Sequence, residues 1–352
     1  MGHPQKEQKF RIILMSNILP EILKIQSLII GYASGRRALP LLPPLDASAS
    51  AGEMVAILGR NGIGKSTLLR TVAGLQKPLG GSVMINNEAT EGFSRLKFAT
   101  NVGYISTDIV KVSHMRVYDL VALGRFPHTN WIGHIDRQTG LIIRESIAKT
   151  GLTGFENRLV SELSDGERQR TMIARMLAQD TDIMIMDEPM AFLDISGKYG
   201  IINLMKELTA GGRTIIFSTH DFNIAVNQAD KIWLITGSGI IQGAPEDLNL
   251  ANDFDCLFDP DITGFNPENG SFDQSSSSLP KIHIEGEERR FRHYTTKALG
   301  RAGFAVTDDM MIPSVKLPSG NSGWVLCADG TTTDCKTLYD LVTLLKSFPS
   351  FF

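Results

Sequence analysis

The fold of this chain is decided by one stretch of sequence, GRNGIGKS at residues 59–66. It matches the phosphate-binding pattern G-x-x-x-x-G-K-S/T in full, and it lies between a short apolar run at 54–58 and a helical pattern at 65–73. A strand, a glycine-rich loop and a helix in this order place backbone N–H groups around phosphate oxygens. We therefore predict an α/β nucleotide-binding core, in which Lys65 reaches the β- and γ-phosphates and Ser66 holds Mg²⁺.

Two acidic residues stand at the end of a second apolar run. The stretch IMIM at residues 183–186 leads directly into Asp187 and Glu188. Because ligands of α/β proteins bind at the carboxyl ends of buried strands, Asp187 is placed to bind Mg²⁺ through water and Glu188 to polarise an attacking water. The alternative is a strand that simply ends in solvated acids, and the phosphate loop in the same chain argues against it.

The stretch LSDGERQ at residues 163–169 predicts the start of a helix. Ser164 and Glu167 form an S-x-x-E capping box ahead of an apolar helical pattern that runs to Leu177. A capped helix N-terminus that carries the small residue Gly166 is also able to bind an anion. The same residues therefore have a structural interpretation and a ligand-binding one.

Together these motifs resemble the ATP-binding-cassette (ABC) family of ATPases. LSDGERQ is similar to the signature motif of that family. The order of the phosphate loop, the signature, the acidic strand end, Leu193-Asp194 and then STHD at 218–221 is also that of the family. The resemblance covers residues 22–250 and implies a P-loop NTPase core with an antiparallel β subdomain and an inserted helical subdomain. It implies ATP and Mg²⁺ as cofactors.

The resemblance also implies a role for each matching residue. Tyr32 is similar to the aromatic residue that stacks on adenine, although an exposed tyrosine at a strand end is the alternative. His220 is similar to the switch histidine that contacts the γ-phosphate. Ser164 and Gly166 would contact the γ-phosphate of ATP held by a second copy of the chain, and Asp194 would link the two sites.

These assignments define the predicted site. The predicted catalytic residues are Glu188, His220 and Lys65, and the predicted metal ligands are Ser66, Asp187 and Thr107. The predicted nucleotide-binding residues are Tyr32, Gly59, Arg60, Asn61, Gly62, Ile63, Gly64, Lys65, Ser66, Thr67, Ser164, Gly166, Glu167 and Asp194.

One position departs from the family pattern. Members usually carry a Gln after the strand that resembles residues 102–105, where it bonds the metal and couples to the membrane partner. Here the matching residue is Thr107, and no Gln occurs between Gln76 and Gln138. Thr107 keeps an oxygen but is shorter and lacks the amide, so we expect it to reach the metal through a bridging water. The competing expectation is that this loop has lost its side-chain contact with the metal.

The stretch VYDLVALGRFPH at residues 117–128 bears on the substrate. It resembles a helical-subdomain segment of the importers for iron-siderophores, haem and cobalamin, a segment that faces the permease. The resemblance therefore implies an ATP-hydrolysing subunit of such an importer, on the cytoplasmic face of the inner membrane. Its expected partners are integral-membrane permease subunits, a second ATPase subunit in a homodimer and, indirectly, a substrate-binding protein.

The chain divides into segments of different character. We expect residues 1–21 to form a disordered leader, with Met15 as an alternative start, and residues 22–255 to form the ATPase domain. The helical subdomain is expected at about 108–180. Residues 256–280, rich in Asp, Gly, Asn and Ser, are interpreted as a linker. Residues 281–352 are expected to form a small α/β regulatory module, with helices at 287–299 and 333–347.

Composition excludes several classes of protein. Among 352 residues, 35 Lys and Arg against 38 Asp and Glu give a net charge of −3, which argues against a strongly basic nucleic-acid-binding protein. The three cysteines are scattered without a C-x-x-C, which excludes a disulfide framework and a cysteine zinc site. No apolar run approaches the ~20 residues of a membrane-spanning helix.

Other functions stay open at this stage. A soluble ABC ATPase that transports nothing would act in translation or DNA repair, but such proteins usually carry two cassettes or a long coiled coil. A small-molecule kinase with a phosphate loop would need no signature motif. The module at 281–352 is consistent with a simple binding function.

Overall fold

The computed structural model describes residues 19–34, 37–107, 114–128, 136–257, 264–266, 271–273, 279–307, 313–318, 323–328 and 330–346. Most of the predicted leader, residues 1–18, lies outside the described residues. The chain divides into two compact units, Met1–Leu257 and Phe258–Phe352. Among the described residues, no helix is long and apolar enough to cross a membrane.

A six-stranded sheet forms the centre of the first unit. Its strands, in spatial order, are β12 (Gly239–Gly243), β11 (Lys231–Thr236), β5 (Met54–Gly59), β10 (Thr214–Ser218), β9 (Ile183–Met186) and β8 (Val102–Ile105). All neighbours are parallel except β12, which pairs with β11 in an antiparallel hairpin. Strands β9 and β10 are buried along their whole length, which explains their apolar runs IMIM and IIF.

The first unit also contains a four-stranded antiparallel sheet, as the resemblance implies. It contains β4 (Leu45–Ser50), β1 (Glu21–Ile29), β6 (Gly80–Ile85) and β7 (Glu88–Ala89), in that order. A separate hairpin pairs β2 (Gly31–Ser34) with β3 (Arg37–Pro40). The two backbones come so close that a Cβ atom on Gly31 would lie 2.1 Å from the carbonyl oxygen of Leu39. Only glycine fits at this position.

Helices and short 3₁₀ segments complete the first unit. The helices are α1 (Lys65–Val72), α2 (Arg95–Asn101), α3 (Val117–Ala122), α4 (Arg137–Lys149), α5 (Asp165–Gln179), α6 (Ile195–Ala210), α7 (Phe222–Gln228) and α8 (Pro245–Leu250). The 3₁₀ segments are Thr90–Gly92, Leu123–His128, Val160–Glu162 and Asp253–Leu257. Helices α3, α4 and α5 pack around Val121, Ile143, Ile147 and Ala174, which together form the core of the helical subdomain.

The second unit has its own sheet and core. Its five-stranded sheet has the order β16 (Ala305–Thr307), β15 (Lys281–Glu285), β17 (Ser314–Lys316), β18 (Trp324–Ala328) and β19 (Thr331–Cys335). Two helices, α9 (Arg289–Arg301) and α10 (Leu338–Lys346), contribute Leu299 and Leu341 to a core with Ile282, Val315 and Leu326. Within the predicted linker the structure has a short hairpin of β13 (Gly264–Asn266) and β14 (Ser271–Asp273).

The prediction of a helix at 333–347 is wrong at its start. Residues 331–335 form β19, which pairs antiparallel with β18. The run of threonines suits a strand, because β-branched side chains pack well on a pleated surface. The helix begins only at Leu338, after Thr337 and Asp340 exchange hydrogen bonds at 3.0 and 3.1 Å between side chains and backbone N–H groups.

Candidate active site

The phosphate loop joins β5 to α1. Gly62 and Gly64 have φ angles of 79° and 112°, in the left-handed region that favours glycine. Gly64 is the N-cap of α1, and its carbonyl oxygen accepts the first helical hydrogen bond from the N–H of Leu68 at 2.8 Å. Since the first turn of α1 contains no acidic residue, the positive end of the helix dipole faces the loop without a competing anion of its own helix.

Lys65 lies inside this loop with 8% of its surface exposed. Its ammonium donates hydrogen bonds to the carbonyl oxygens of Gly59 and Arg60, at 2.8 and 3.3 Å. Burial lowers the pKa of Lys65 below its ordinary value, while the negative charges of Glu188 and Asp187 oppose that change. Lys65 is therefore a cation that is held within the loop between backbone carbonyls and two carboxylates.

Asp187 follows the last residue of β9 and is only 2% exposed. The hydroxyl of Ser218 donates to its Oδ1 at 2.6 Å, and the hydroxyl of Thr107 donates to its Oδ2 at 3.2 Å. The backbone N–H of Asp187 donates to the carbonyl oxygen of Ile105 at 2.9 Å. The three neighbouring strands β8, β9 and β10 therefore bring one carboxylate and two hydroxyls together.

Glu188 is the next residue and has a φ angle of 48°, which is uncommon for a residue other than glycine. Its backbone N–H donates to the hydroxyl of Ser218 at 2.9 Å. Its Oε2 lies 3.0 Å from Nδ1 of His220, whose side chain is 64% exposed. The structure thus pairs the predicted general base with the predicted switch histidine.

The signature stretch forms the N-terminus of α5. Ser164 is the N-cap, and its hydroxyl accepts from the N–H of Glu167 at 3.3 Å, while the Glu167 carboxylate accepts from the N–H of Ser164 at 2.7 Å. That backbone hydrogen bond is the main reason why the pKa of Glu167 lies below its ordinary value. The predicted capping box is confirmed.

Gly166 packs against Leu193, the residue that precedes Asp194. A Cβ atom on Gly166 would lie 3.1 Å from Cδ2 of Leu193, so the signature helix packs against the residue before Asp194. Asp194 is the N-cap of α6, and its carboxylate accepts from the N–H of Gly197 at 2.8 Å. These predicted residues therefore form a second cluster around the start of α5 and α6.

Tyr32 lies on β2 and is 54% exposed. Its hydroxyl lies 3.2 Å from the hydroxyl of Thr67 on α1, which connects the β2–β3 hairpin to the phosphate loop. Much of the aromatic ring faces solvent, as a ring that stacks on a base must before the ligand binds. Ser66, which precedes Thr67 in the sequence and is also part of the predicted site, lies in the first turn of α1 and is half-buried.

Sequence reasoning missed two polar side chains in this region. Ser218 is fully buried and connects Asp187 to Glu188, and a polar residue at the end of the apolar stretch 215–217 was the signal for it. Gln169 is 9% exposed and donates to the carbonyl oxygen of Pro189 at 3.1 Å. This bond connects the signature helix to the segment that follows the acidic pair.

The donor set fits a magnesium ion that is shared with a nucleotide. Ser66 offers a hydroxyl and Asp187 offers a carboxylate, which are oxygen ligands that Mg²⁺ prefers, and the Thr107 hydroxyl donates to that carboxylate. In the part of the chain that the structure describes, no group of three or more His, Cys, Asp or Glu side chains is placed to hold a metal. One carboxylate is what a site needs when phosphates and waters supply the other ligands.

The segment that resembles a permease-facing element has two sides. Arg125 is buried and donates to the carbonyl oxygen of Ala178 at 2.9 Å, and Nε2 of His128 lies 2.8 Å from the carbonyl oxygen of Gln179. Both side chains therefore cap the C-terminus of α5, where the helix dipole is negative. Phe126 between them is 76% exposed, so its aromatic ring faces outward.

Comparison with known proteins adds family relationships. A model of the ABC transporter family matches residues 42–191, and a model of the iron ABC transporter C-terminal domain matches residues 279–346. The achromobactin transport ATP-binding protein of Dickeya dadantii is 34% identical, over 67% of this chain and 89% of its own length. The ferric enterobactin transport ATP-binding protein of Escherichia coli K12 is 36% identical, over 57% of this chain and 74% of its own.

Solved structures show the same architecture. The dimeric structure of a bacterial ABC transporter cassette is 25% identical with a TM-score of 0.58, and it covers 63% of this chain and 98% of its own. A dimer of such a cassette in a post-hydrolysis state, bound to ADP and phosphate, is 26% identical with a TM-score of 0.56 over the same shares.

Proposed function

Because this chain belongs to the ABC transporter family of ATP-binding proteins, we propose that it hydrolyses ATP to drive import through a separate membrane permease. The observation that carries the proposal is the pair formed by Glu188 and His220, 3.0 Å apart, directly after the buried carboxylate of Asp187. A general base and its partner at the carboxyl end of a buried strand are what hydrolysis of a bound nucleotide requires.

The residues divide the chemistry among them. Glu188 accepts the proton of a water that attacks the γ-phosphorus in line, while the bond from that phosphorus to the β,γ-bridging oxygen breaks and ADP leaves. His220 holds the Glu188 carboxylate in position from the neighbouring strand end. Lys65 and the phosphate-loop N–H groups would bind the phosphate oxygens, and Ser66 and Asp187 would hold Mg²⁺. When bound, Mg²⁺ neutralises negative charge that develops on the phosphoryl oxygens.

Two copies of the chain form the complete site in this proposal. Ser164 and Gly166 lie in a cluster with Asp194 at the start of α5 and α6, and in the dimer they face the nucleotide held by the other copy. Both solved cassettes described above are dimers, which supports this arrangement. Hydrolysis then depends on assembly, since each copy contributes one part of each site.

The proposed substrate is an iron-siderophore complex, with haem and cobalamin as the neighbouring possibilities. Relatives are ATP-binding proteins for achromobactin transport, petrobactin import and ferric enterobactin transport, and one relative from Halobacterium salinarum, 30% identical, is a cobalamin import ATP-binding protein. The second unit matches a C-terminal domain of iron ABC transporters. We place the chain on the cytoplasmic face of the membrane, with a permease as direct partner and a substrate-binding protein as indirect partner.

Glu188→Gln tests the catalytic assignment. The variant keeps the shape of the side chain but not its basicity, so ATP binding should persist while hydrolysis falls about 10²- to 10⁴-fold. ATP should then accumulate at the interface and trap a dimer, which size-exclusion chromatography with ATP would detect. Near-normal turnover in this variant would remove Glu188 from the role of base.

Transport assays test the substrate class. The chain is co-expressed with the permease of an iron-siderophore importer, and uptake of a ⁵⁵Fe-siderophore, haem and cobalamin is compared in vesicles that contain ATP. The Glu188→Gln chain serves as the control without hydrolysis. Uptake of haem or cobalamin alone would contradict the iron-siderophore assignment. Failure to co-purify with any polytopic membrane protein would favour an ABC ATPase that transports nothing.

A further inference from the structure

Two hydroxyl groups from different strand ends hold the carboxylate of Asp187. Strand β9 lies between β8 and β10, and Asp187 follows β9 directly. Ser218, the last residue of β10, donates to Oδ1 at 2.6 Å, and Thr107, two residues after β8, donates to Oδ2 at 3.2 Å. Both carboxylate oxygens are therefore fixed by a donor, and each keeps a lone pair for a further ligand.

Ser218 has a second partner in the same place. Its oxygen accepts the backbone N–H of Glu188 at 2.9 Å, so its single hydroxyl links the metal-binding acid to the backbone of the general base. Glu188 adopts a φ angle of 48°, a conformation that persists only where the surroundings stabilise it. Ser218 is fully buried, so no water replaces either hydrogen bond when the hydroxyl is absent.

Thr107 stands at the position where the related ATPases usually carry Gln. A Gln amide spans to the metal by itself, whereas the Thr107 hydroxyl reaches the carboxylate of Asp187. Its contribution to the metal is therefore made through another side chain. Hydrogen bonds from outer residues fix the orientation of metal ligands, and their removal typically lowers metal affinity 10- to 100-fold.

We propose that Thr107 and Ser218 are positioning residues that together orient Asp187 toward the nucleotide-bound metal, and that Ser218 also fixes the backbone of Glu188. This inference rests on the proposed function, because it assigns roles within the same ATPase site. It replaces the expectation that Thr107 binds the metal itself or through one bridging water.

Substitutions of Thr107 and Ser218 should have different effects on the Mg²⁺ dependence and on the kcat of the ATPase. Thr107→Val keeps the shape of the side chain and removes one of the two hydrogen bonds to Asp187, so it raises the Mg²⁺ concentration for half-maximal ATPase about tenfold or more. Excess Mg²⁺ restores its kcat. Ser218→Ala also removes the partner of the Glu188 N–H, so its kcat stays low at saturating Mg²⁺. Thr107→Ser, which keeps the hydroxyl, restores the Mg²⁺ dependence that Thr107→Val loses.

A binding experiment tests the proposal without turnover. Mn²⁺ affinity is measured by electron paramagnetic resonance in the Glu188→Gln background, with ATP bound, for chains with Thr, Val or Ser at position 107. We expect the Thr107→Val chain to bind Mn²⁺ about 10- to 100-fold more weakly, the Thr107→Ser chain to match the parent, and ATP affinity in EDTA to stay unchanged. Equal Mn²⁺ affinity in all three chains would overturn the proposal.

A double-mutant cycle separates positioning from direct ligation. If Thr107 acts through Asp187, then Thr107→Val has no further effect on Mn²⁺ affinity once Asp187→Asn is present. If Thr107 is a metal ligand in its own right, the two losses add, and the positioning role is wrong. Absence of any ATP-dependent Mn²⁺ binding by the parent chain would instead contradict the proposed function, so the two failures are distinguishable.

Discussion

At the scale of single residues, we expect nucleotide binding to depend most on the side chain of Lys65. Its ammonium is held by the carbonyl oxygens of Gly59 and Arg60, and it lies close enough to Asp187 and Glu188 to feel both charges. A phosphate that enters the loop therefore meets a buried cation that is already in place. The attraction between this phosphate and the Lys65 ammonium is strong because the loop excludes most of the water around the ammonium.

Lys65→Ala should weaken ATP binding about 10- to 100-fold, the loss expected for a hydrogen bond to a charged group. Lys65→Arg should not restore binding, since a planar guanidinium does not fit between two carbonyl oxygens of the loop. Isothermal titration with ATP in the presence of Mg²⁺ measures the effect. The exposed residue Lys77 provides the control, and Lys77→Ala should bind ATP like the parent chain. Unchanged affinity in Lys65→Ala would contradict the assignment.

Glu167 makes a pH-dependent contribution to stability. Because the N–H of Ser164 lowers the pKa of Glu167 below its ordinary value of 4.5 in the folded chain, its ionised form stabilises the fold. That contribution is complete above pH 4.5 and disappears as the pH falls through the lowered pKa. Glu167→Gln should therefore destabilise the chain at neutral pH and match it in acid. Urea midpoints measured across this range test the prediction, and a difference that does not change with pH would contradict it.

At the scale of secondary-structure elements, α5 is the helix that connects the signature to the helical subdomain. Its N-terminus is capped by Ser164, and its C-terminal carbonyl groups are bound by Arg125 and His128. Gln169, in the second turn of α5, donates to the carbonyl oxygen of Pro189, the residue after the acidic pair. A displacement of the helical subdomain would therefore move α5 as a rigid helix. The movement would reach the signature residues at its N-terminus and, through Gln169, the segment that follows the acidic pair.

The packing of α5 against the segment Leu123–His128 depends on Gly124. A Cβ atom there would lie 2.1 Å from the carbonyl oxygen of Arg175, a distance that no relaxation of a flexible side chain relieves. Gly124→Ala should lower the free energy of unfolding by about 1–3 kcal/mol or more, as overpacking does.

Gly140 provides the matched control for this prediction. An added Cβ on Gly140 would make ordinary contacts at 3.5 Å or more, and Gly140 lies inside α4. Gly140→Ala should therefore be neutral or stabilising by roughly 0.5–1 kcal/mol, since alanine favours the helix. Urea denaturation of both variants measures the difference, and equal stability would show that the close approach at Gly124 is not a constraint.

At the scale of the whole molecule, each of the two units has a hydrophobic core of its own. The first unit contains the phosphate loop, the acidic pair and the signature, and it ends at Leu257. The core of the second unit is formed by its own strands and helices, around Ile282 and Leu341. We therefore expect ATP hydrolysis to be a property of the first unit alone.

Truncation after Leu257 should leave a folded ATPase, with dimer stability or regulation altered. Circular dichroism should retain a cooperative thermal transition, and the ATPase rate should be comparable to that of the full chain. Truncation after Thr236 provides a contrast, because it removes β12 from the central sheet and exposes the edge of β11. An insoluble or inactive product of the first truncation would show that the second unit belongs to the ATPase fold.

The sequence alone determined the features that are local in the chain. The phosphate loop, the capping box of α5 and the acidic pair each consist of neighbouring residues, so their backbone geometry follows from short-range rules. Their order was sufficient to predict the central fold and the family. Where an element depends on pairing with another strand, sequence reasoning failed: residues 331–335 form a strand because they pair with the adjacent strand β18 in a hairpin.

Only the tertiary structure decided how the site is assembled. Thr107 is 80 residues from Asp187, and Ser218 is 31 residues from it, so their hydrogen bonds exist only because β8, β9 and β10 are neighbours in the sheet. The contact between Glu188 and His220 has the same origin. Strand order is a property of the packed core, and residues that meet at the strand ends carry no mark of their partners in the sequence.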